Sequence, residues 1–206
     1  MNVLIFGAGG YAKEIIDLIE DNTTAKIIGL IDKNGIGSKV LGHEILGSDQ
    51  EVKRMVNSRK VTHFFVAIGD IITRERVYKQ TSLILKPLNI ISKKAYISKY
   101  AKLGNHVVVF PGVVINSDVE IGNNVIVNTN SAIGHEVKIG NNVNINPGAS
   151  IAGKVRIGEF STVGIGASIK ENLTIMPNTL IGAGAVVVKN TISGNTYIGV
   201  PARIKK

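Results

Sequence analysis

The sequence predicts an α/β unit over residues 1–90 followed by an all-β solenoid over residues 91–206. Three observations predict this. Strand-length apolar runs alternate with amphipathic stretches before residue 90, a six-residue period starts at Ile91 and continues without insertion to Ile192, and glycine is abundant while aromatics are scarce. Glycine supplies 23 of 206 residues, aromatics make up 5%, and tryptophan is absent, a composition that calls for many tight turns around small aliphatic side chains. With 44% hydrophobic and 19% charged residues the chain has enough apolar material for a core. The absence of cysteine excludes disulfides, thiolate-ligated zinc and a thiol nucleophile.

In the first unit, Asn2–Phe6 reads as an apolar strand and Gly7–Gly10 as a glycine turn. Tyr11–Glu20 follows as an amphipathic helix with Ile15, Ile16, Leu18 and Ile19 on or near its buried side. Lys26–Ile31 makes a second strand ending at Asp32, Asp49–Asn57 a helix, Thr62–Ile68 a third strand and Thr73–Ser82 another helix. This alternation describes a small parallel sheet of Rossmann type. Its ligand crevice lies past the carboxyl ends of the strands, at Gly7–Tyr11, Asp32 and Gly69–Asp70. The segment Gly7-Ala8-Gly9-Gly10-Tyr11-Ala12 fits G-x-G-x-x-A, in which small residues let a diphosphate approach backbone at a helix amino terminus. Asp32 stands where an acid contacting a ribose is expected. Ninety residues leave no room for both a nicotinamide half and a catalytic domain, so a mononucleotide or nucleotide sugar fits better than a dinucleotide.

From Ile91 the chain divides into seventeen six-residue units whose first residue is always Ile, Leu or Val. The fifth position holds only Ala, Val, Ser, Leu or Thr, and the second is repeatedly Gly, Asn or Ser. This pattern resembles the hexapeptide repeat of left-handed parallel β-helices, in which three units make one triangular coil. First-position side chains then point inward and stack on their equivalents eighteen residues along, with the small fifth residues between them. An unbroken repeat makes this winding credible although it opposes the usual right-handed crossover.

Position separates the four histidines. His43 lies in a Gly-rich connection, His63 in the third predicted strand and His106 in an early coil. His135 takes the third position of Ile133-Gly134-His135-Glu136-Val137-Lys138, so its ring points away from the prism axis, and Gly153 one coil later leaves space above it. A neutral imidazole beside an open slot suits general-base work, with Glu136 to orient it. The coils offer only His106 and His135, short of a three-histidine site, so no metal is expected. The formal charge of +9 suits an anionic partner. Basic runs are short and stacking aromatics few, which favours phosphorylated small molecules over nucleic acid. No stretch approaches the ~18–20 apolar residues of a membrane span, and the amino terminus lacks a basic leader. A cytoplasmic protein is expected.

The Gly7-Ala8-Gly9-Gly10 turn, Val66-Ala67-Ile68-Gly69-Asp70 with Arg74, Val127-Asn128-Thr129, His135-Glu136, Pro147-Gly148-Ala149 and Gly199-Val200-Pro201-Ala202 together resemble the NeuD/PglD-type sugar acetyltransferases over residues 1–206. The resemblance implies a homotrimer with acetyl-CoA between neighbouring subunits and a nucleotide sugar held by the Rossmann-like domain. It implies His135 as base and Glu136 as its partner. For the nucleotide sugar it implies Gly9, Gly10, Tyr11, Asp32, Lys33, Gly69, Arg74 and, near the acceptor group, Asn128. For acetyl-CoA it implies Asn144, Gly153, Gly182, Ala183, Pro201 and Arg203, with Lys189, Lys205 and Lys206 as further candidates for the phosphates. Many relatives carry a second histidine nine residues after the base. Here Asn144 replaces it, able to donate a hydrogen bond to a thioester carbonyl but unable to titrate. The implied acceptor is a 4-amino-4,6-dideoxy sugar on dTDP or UDP, in surface-polysaccharide precursor synthesis. O-acetylation of sialic acid or another sugar, and a non-catalytic nucleotide-sugar-binding scaffold, are the alternatives.

Overall fold

The computed structural model describes residues 1–48 and 51–205, and the chain forms two compact units, Met1–Ile90 and Ile91–Lys206. In the first, the elements run β1 (Asn2–Phe6), α1 (Gly10–Asn22), β2 (Lys26–Ile31), β3 (Lys39–Val40), β4 (His43–Gly47), α2 (Val52–Arg59), β5 (His63–Val66), α3 (Ile71–Ser82) and β6 (Lys86–Pro87). They build one six-stranded sheet in the order β3-β4-β2-β1-β5-β6. Every pairing in it is parallel except the β3–β4 hairpin. Alternation along β1 sends Leu4 and Phe6 to one face, where they meet Val52 and Met55 of α2 and Val77 of α3 in a buried cluster. Val3 and Ile5 point the other way. The buried stripe Ala12, Ile15, Ile16, Leu18 and Ile19 of α1 lies outside that cluster and serves the opposite face.

Several boundaries differ from the sequence reading. Helix α3 begins at Ile71, two residues earlier than predicted, because Asp70 caps it: Oδ2 accepts from the Thr73 N–H at 2.8 Å. The β3–β4 hairpin lies in a glycine-rich stretch that reads as a loop, and so His43 opens a strand rather than lying in a connection. The predicted start of the second helix at Asp49, and Lys206, lie outside the described residues. Among the described residues no helix is long and apolar enough to cross a membrane.

In the second unit each hexapeptide contributes a two-residue strand, and strands eighteen residues apart pair in parallel, as Val108 with Ile126 and Val109 with Val127. Three parallel sheets result, and they form the faces of a parallel β-helix. The first face carries strands ending at Val109, Val127, Ile145, Val163 and Ile181. The second carries those ending at Ile115, Ile133, Ile151, Ile169 and Val187, and the third those ending at Ile121, Ile139, Ile157 and Ile175. These first-position side chains are buried, and so are the fifth-position residues Val119, Val125, Ser131, Val137 and Val143 between them.

Two features of the corners escaped the sequence reading. From His106 to Gly184 the fourth residue of each unit has positive φ, as in Asp118, Asn124, Glu136, Gly148 and Lys154. Three residues past the end of each strand a left-handed residue therefore turns the chain onto the next face. At the second position glycine permits coils to press together: a Cβ on Gly134 would stand 2.7 Å from the Gly153 nitrogen. Between the third and first faces the corner is polar inside. His106 Nδ1 lies 2.8 Å from Asn124 Oδ1, and Asn124 Nδ2 donates to Asn142 Oδ1 at 2.7 Å. The period contracts at the carboxyl end, where Leu180 pairs with Thr196 and Ile181 with Tyr197. Thr196–Ile198 then pairs antiparallel with Arg203–Ile204, closing the first face with a hairpin.

Candidate active site

His135 and Glu136 occupy the corner between the second and third faces. Coil-to-coil hydrogen bonds fix their backbone: the Glu136 N–H donates to the Ser117 carbonyl at 3.0 Å, and the His135 carbonyl accepts from Lys154 at 2.9 Å. The His135 side chain remains 60% exposed, with Nδ1 2.8 Å from Glu136 Oε2. A carboxylate offers lone pairs only, so Nδ1 carries the proton in this pair. That leaves the lone pair of the neutral ring on Nε2.

Gly153 makes this orientation possible. A Cβ there would stand 2.6 Å from Nε2 and 2.7 Å from Cε1 of His135, so the slot expected above the imidazole is filled by the ring itself leaning on the next coil. Gly153 is not among the glycines with positive φ, and it is the only glycine at the third position of any of the seventeen units. Its missing side chain serves the neighbouring ring rather than its own backbone. Beside this corner a cleft of about 530 Å³ runs along the third face, lined by Asp118, Glu136, Lys138, Lys154, Arg156 and Thr174 among others. Glu120 and Lys138 within it pair at 3.1 Å.

The remaining β-helix candidates lie elsewhere on the prism. Asn128 sits at the corner between the first and second faces, where its Oδ1 accepts from the Thr129 N–H at 2.7 Å. Gly182 and Ala183 share that corner three coils on, beside Gly166 and Gly184, which have open space where a Cβ would go. Asn144 starts the Asn144–Ile145 strand of the first face. Pro201 and Arg203 belong to the closing hairpin, with the Ala202 N–H donating to Val186 at 2.8 Å. One chain therefore brings His135, Glu136 and Gly153 together and holds Asn128, Gly182 and Ala183 on another edge and Asn144 on the first face.

In the α/β unit a cleft of about 480 Å³ is lined by Gly7, Asp32, Lys33, Ser48, Thr73 and Arg76 among others. Gly7 is required there: its φ is +104° and a Cβ would stand 2.7 Å from the Ala67 carbonyl oxygen. Gly9, Gly10 and Gly69 have open space around them and do not line this cleft. Asp32 does, and its carboxylate ties the turn down: Oδ2 accepts from Ala8 at 3.0 Å and Oδ1 from Asn34 at 2.9 Å.

Arg74, expected to face the nucleotide, is 1% exposed, and its Nη1 donates to the Gly69 carbonyl at 3.3 Å. Burial lowers its pKa, opposed chiefly by the nearby Tyr11, whose own hydroxyl is raised by burial despite the pull of Arg74. Neither of these two lines the cleft. The reason is helical geometry: two residues on a helix lie about 200° apart, so Arg74 faces inward while Arg76 joins Thr73 and Val77 on the cleft side. Spacing from the capped start of α3 is the signal that points to Arg76. Of the other histidines, His43 pairs with Glu20 at 2.9 Å, and burial together with Lys86 lowers the pKa of His63. Among the described residues no group of three or more side chains could hold a metal ion.

Residues 2–81 match the PglD N-terminal domain, and residues 118–153 match the bacterial transferase hexapeptide of six repeats. Among solved structures, PerB from Caulobacter crescentus in complex with CoA and GDP-perosamine is 33% identical, with 100% of this chain and 98% of that one covered and a TM-score of 0.93. The acetyltransferase domain of PglB from Neisseria gonorrhoeae in complex with acetyl coenzyme A is 30% identical, with coverage of 99% and 98% and a TM-score of 0.91. A curated relative, protein L142 of Acanthamoeba polyphaga mimivirus, is 33% identical over 119 residues, 57% of this chain and only 23% of that longer protein. The fold is that of the hexapeptide-repeat acyltransferases. Within that class, the chain belongs to the NeuD/PglD-type family of sugar acetyltransferases.

Proposed function

We propose that this protein transfers the acetyl group of acetyl-CoA to the amine of a nucleotide-linked amino sugar. The His135–Glu136 pair carries the assignment, since Nδ1 held by a carboxylate at 2.8 Å leaves Nε2 to accept a proton at an exposed corner. As the sugar nitrogen bonds the thioester carbonyl carbon, Nε2 takes the proton the nitrogen gives up. The carbon–sulfur bond breaks, the proton passes to the leaving sulfur, and CoA departs as a thiol. No covalent acyl-enzyme is needed. General-base assistance contributes ~10²–10⁴-fold, beside the advantage of holding two substrates together.

The cleft at Lys33, Ser48, Thr73 and Arg76 suits the diphosphate of the nucleotide, with two cations and two hydroxyls around a helix amino terminus. The small-residue edge at Gly166, Ala183 and Gly184 has room for an extended pantetheine arm. Because that edge and Asn128 stand on a different corner from His135, a site using both forms between neighbouring copies. A trimer of prisms supplies this arrangement, with Asn144 of the first face available as a hydrogen-bond donor to the thioester carbonyl. A 4-amino-4,6-dideoxy sugar is the acceptor we favour. dTDP and UDP are the carriers first expected, and PerB, which is bound to GDP-perosamine, adds GDP to the set. The reaction belongs in the cytoplasm.

Thiol release measured with acetyl-CoA and a panel of dTDP-, UDP- and GDP-linked amino sugars, alongside free sialic acid, tests the assignment. Turnover confined to nucleotide amino sugars is expected. Turnover with sialic acid alone indicates an O-acetyltransferase, and no turnover with any acceptor indicates a binding scaffold.

A further inference from the structure

Lys154 stands one coil beyond Glu136 in the same column, and both residues have left-handed backbone, with φ of +61° and +60°. Stacked residues of like conformation project their side chains in parallel, so the two meet outside the prism. Lys154 Nζ lies 3.8 Å from Glu136 Oε2, the same oxygen that His135 Nδ1 approaches at 2.8 Å. The Lys154 N–H also donates to the His135 carbonyl at 2.9 Å, which ties the backbone of the lysine to that of the histidine. His135, Glu136 and Lys154 thus close a three-membered circuit spanning two coils.

The other charged groups along this face leave the role to Lys154. Lys138 is engaged by Glu120 at 3.1 Å, while Asp118 stands in the same column as Glu136 one coil earlier and carries the same sign. Arg156 lines the cleft, and Glu136 makes no ion pair with it. A half-exposed glutamate on its own samples several rotamers and releases the imidazole in most of them. A cation fixed on the next coil restricts that sampling.

We infer that Lys154 is a positioning residue, holding the Glu136 carboxylate against His135 Nδ1 so that Nε2 keeps its lone pair toward the acceptor. This rests on His135 being the base. An exposed pair has modest strength, so Lys154→Met should lower kcat about two- to fivefold with both KM values unchanged. Lys154→Arg should restore it. In the Glu136→Gln background Lys154→Met should cost nothing further, because its route to the ring is gone. Nitrogen-15 NMR of the histidine ring reads the same link without turnover: the Nδ1–H tautomer should dominate in the native protein and be mixed with the other in Lys154→Met. Native kcat with an intact Nδ1–H signature in Lys154→Met, or a cost that simply adds to that of Glu136→Gln, overturns the inference. If His135→Ala turns over normally while the tautomer signal still responds to Lys154, the base assignment fails and the positioning contact survives.

Discussion

Arg74 and His135 are polar side chains set beside packed cores, one in each unit, and they meet opposite ends. Arg74 sits on a helix that packs on a sheet, and its inward face draws the guanidinium into the interior, where Gly69 receives it. His135 sits on a left-handed-cornered coil whose third position always points out, so its ring stays at the surface with only Glu136 and the next coil to steady it. In the α/β unit each contact is particular, and a shift of two residues reverses what a side chain does. In the β-helix each position inherits its direction from its column, and the exceptions within a column mark the chemistry.

The largest test of this contrast is removal of the ring. His135→Ala should lower kcat by ~10²–10⁴-fold while calorimetry shows CoA and nucleotide sugar still bound. Normal turnover would sink the assignment. Next come two glycines of neighbouring coils. Gly153→Ala places a methyl group against the imidazole, a side chain free to swing away, so kcat should fall about 10- to 100-fold with an unchanged denaturation midpoint. Gly134→Ala meets backbone at 2.7 Å instead and should destabilise the coil by about 1–3 kcal/mol in urea titration. If both behave alike, the column logic is wrong.

In the α/β unit, Arg76→Ala should raise the acceptor KM about tenfold and leave stability alone, as expected for loss of a charge-assisted hydrogen bond. Arg74→Ala should do the reverse, lowering the melting temperature through the polar groups it abandons in the interior. Steady-state kinetics and thermal melts on the pair separate the two roles.

The smallest effect belongs to Asp70. Its carboxyl is held below the usual carboxylate range, first by the Thr73 hydroxyl and then by the Thr73 N–H. A depressed folded value means that this stabilisation is present above the unfolded carboxylate range and disappears as pH falls through the lowered value. Asp70→Asn should therefore flatten the acid side of the melting-temperature profile slightly, and an unchanged profile would discount the cap.

What could be read from the chain follows the same division. A period of six with a branched aliphatic at its head specifies the coil outright, because every unit repeats the evidence. His135 and Gly153 were legible from their shared third position in that period, eighteen residues apart. The left-handed fourth position escaped that reading, since asparagine and glycine advertise it in some units while Glu136, Lys154 and Phe160 do not in others. In the α/β unit the strands and helices were readable from alternation, yet the inward turn of Arg74 was not, because it depends on where α3 begins, and that is decided by the Asp70 cap. The β3–β4 hairpin was hidden for a related reason: β3 has two residues, neither of them buried, and β4 buries only Ile45 and Gly47, too short a pattern to separate from a loop.

The eighteen-residue register carries an evolutionary consequence. Inserting a single amino acid between His135 and Gly153 would slide every later column by one place, putting a side chain against the imidazole and tipping aliphatics outward. Duplicating a whole turn of the prism beyond Lys154 would disturb neither. Such a molecule can grow or shrink along its axis in steps of one turn, like a stack of identical tiles, while the chemistry at one level of the stack is preserved.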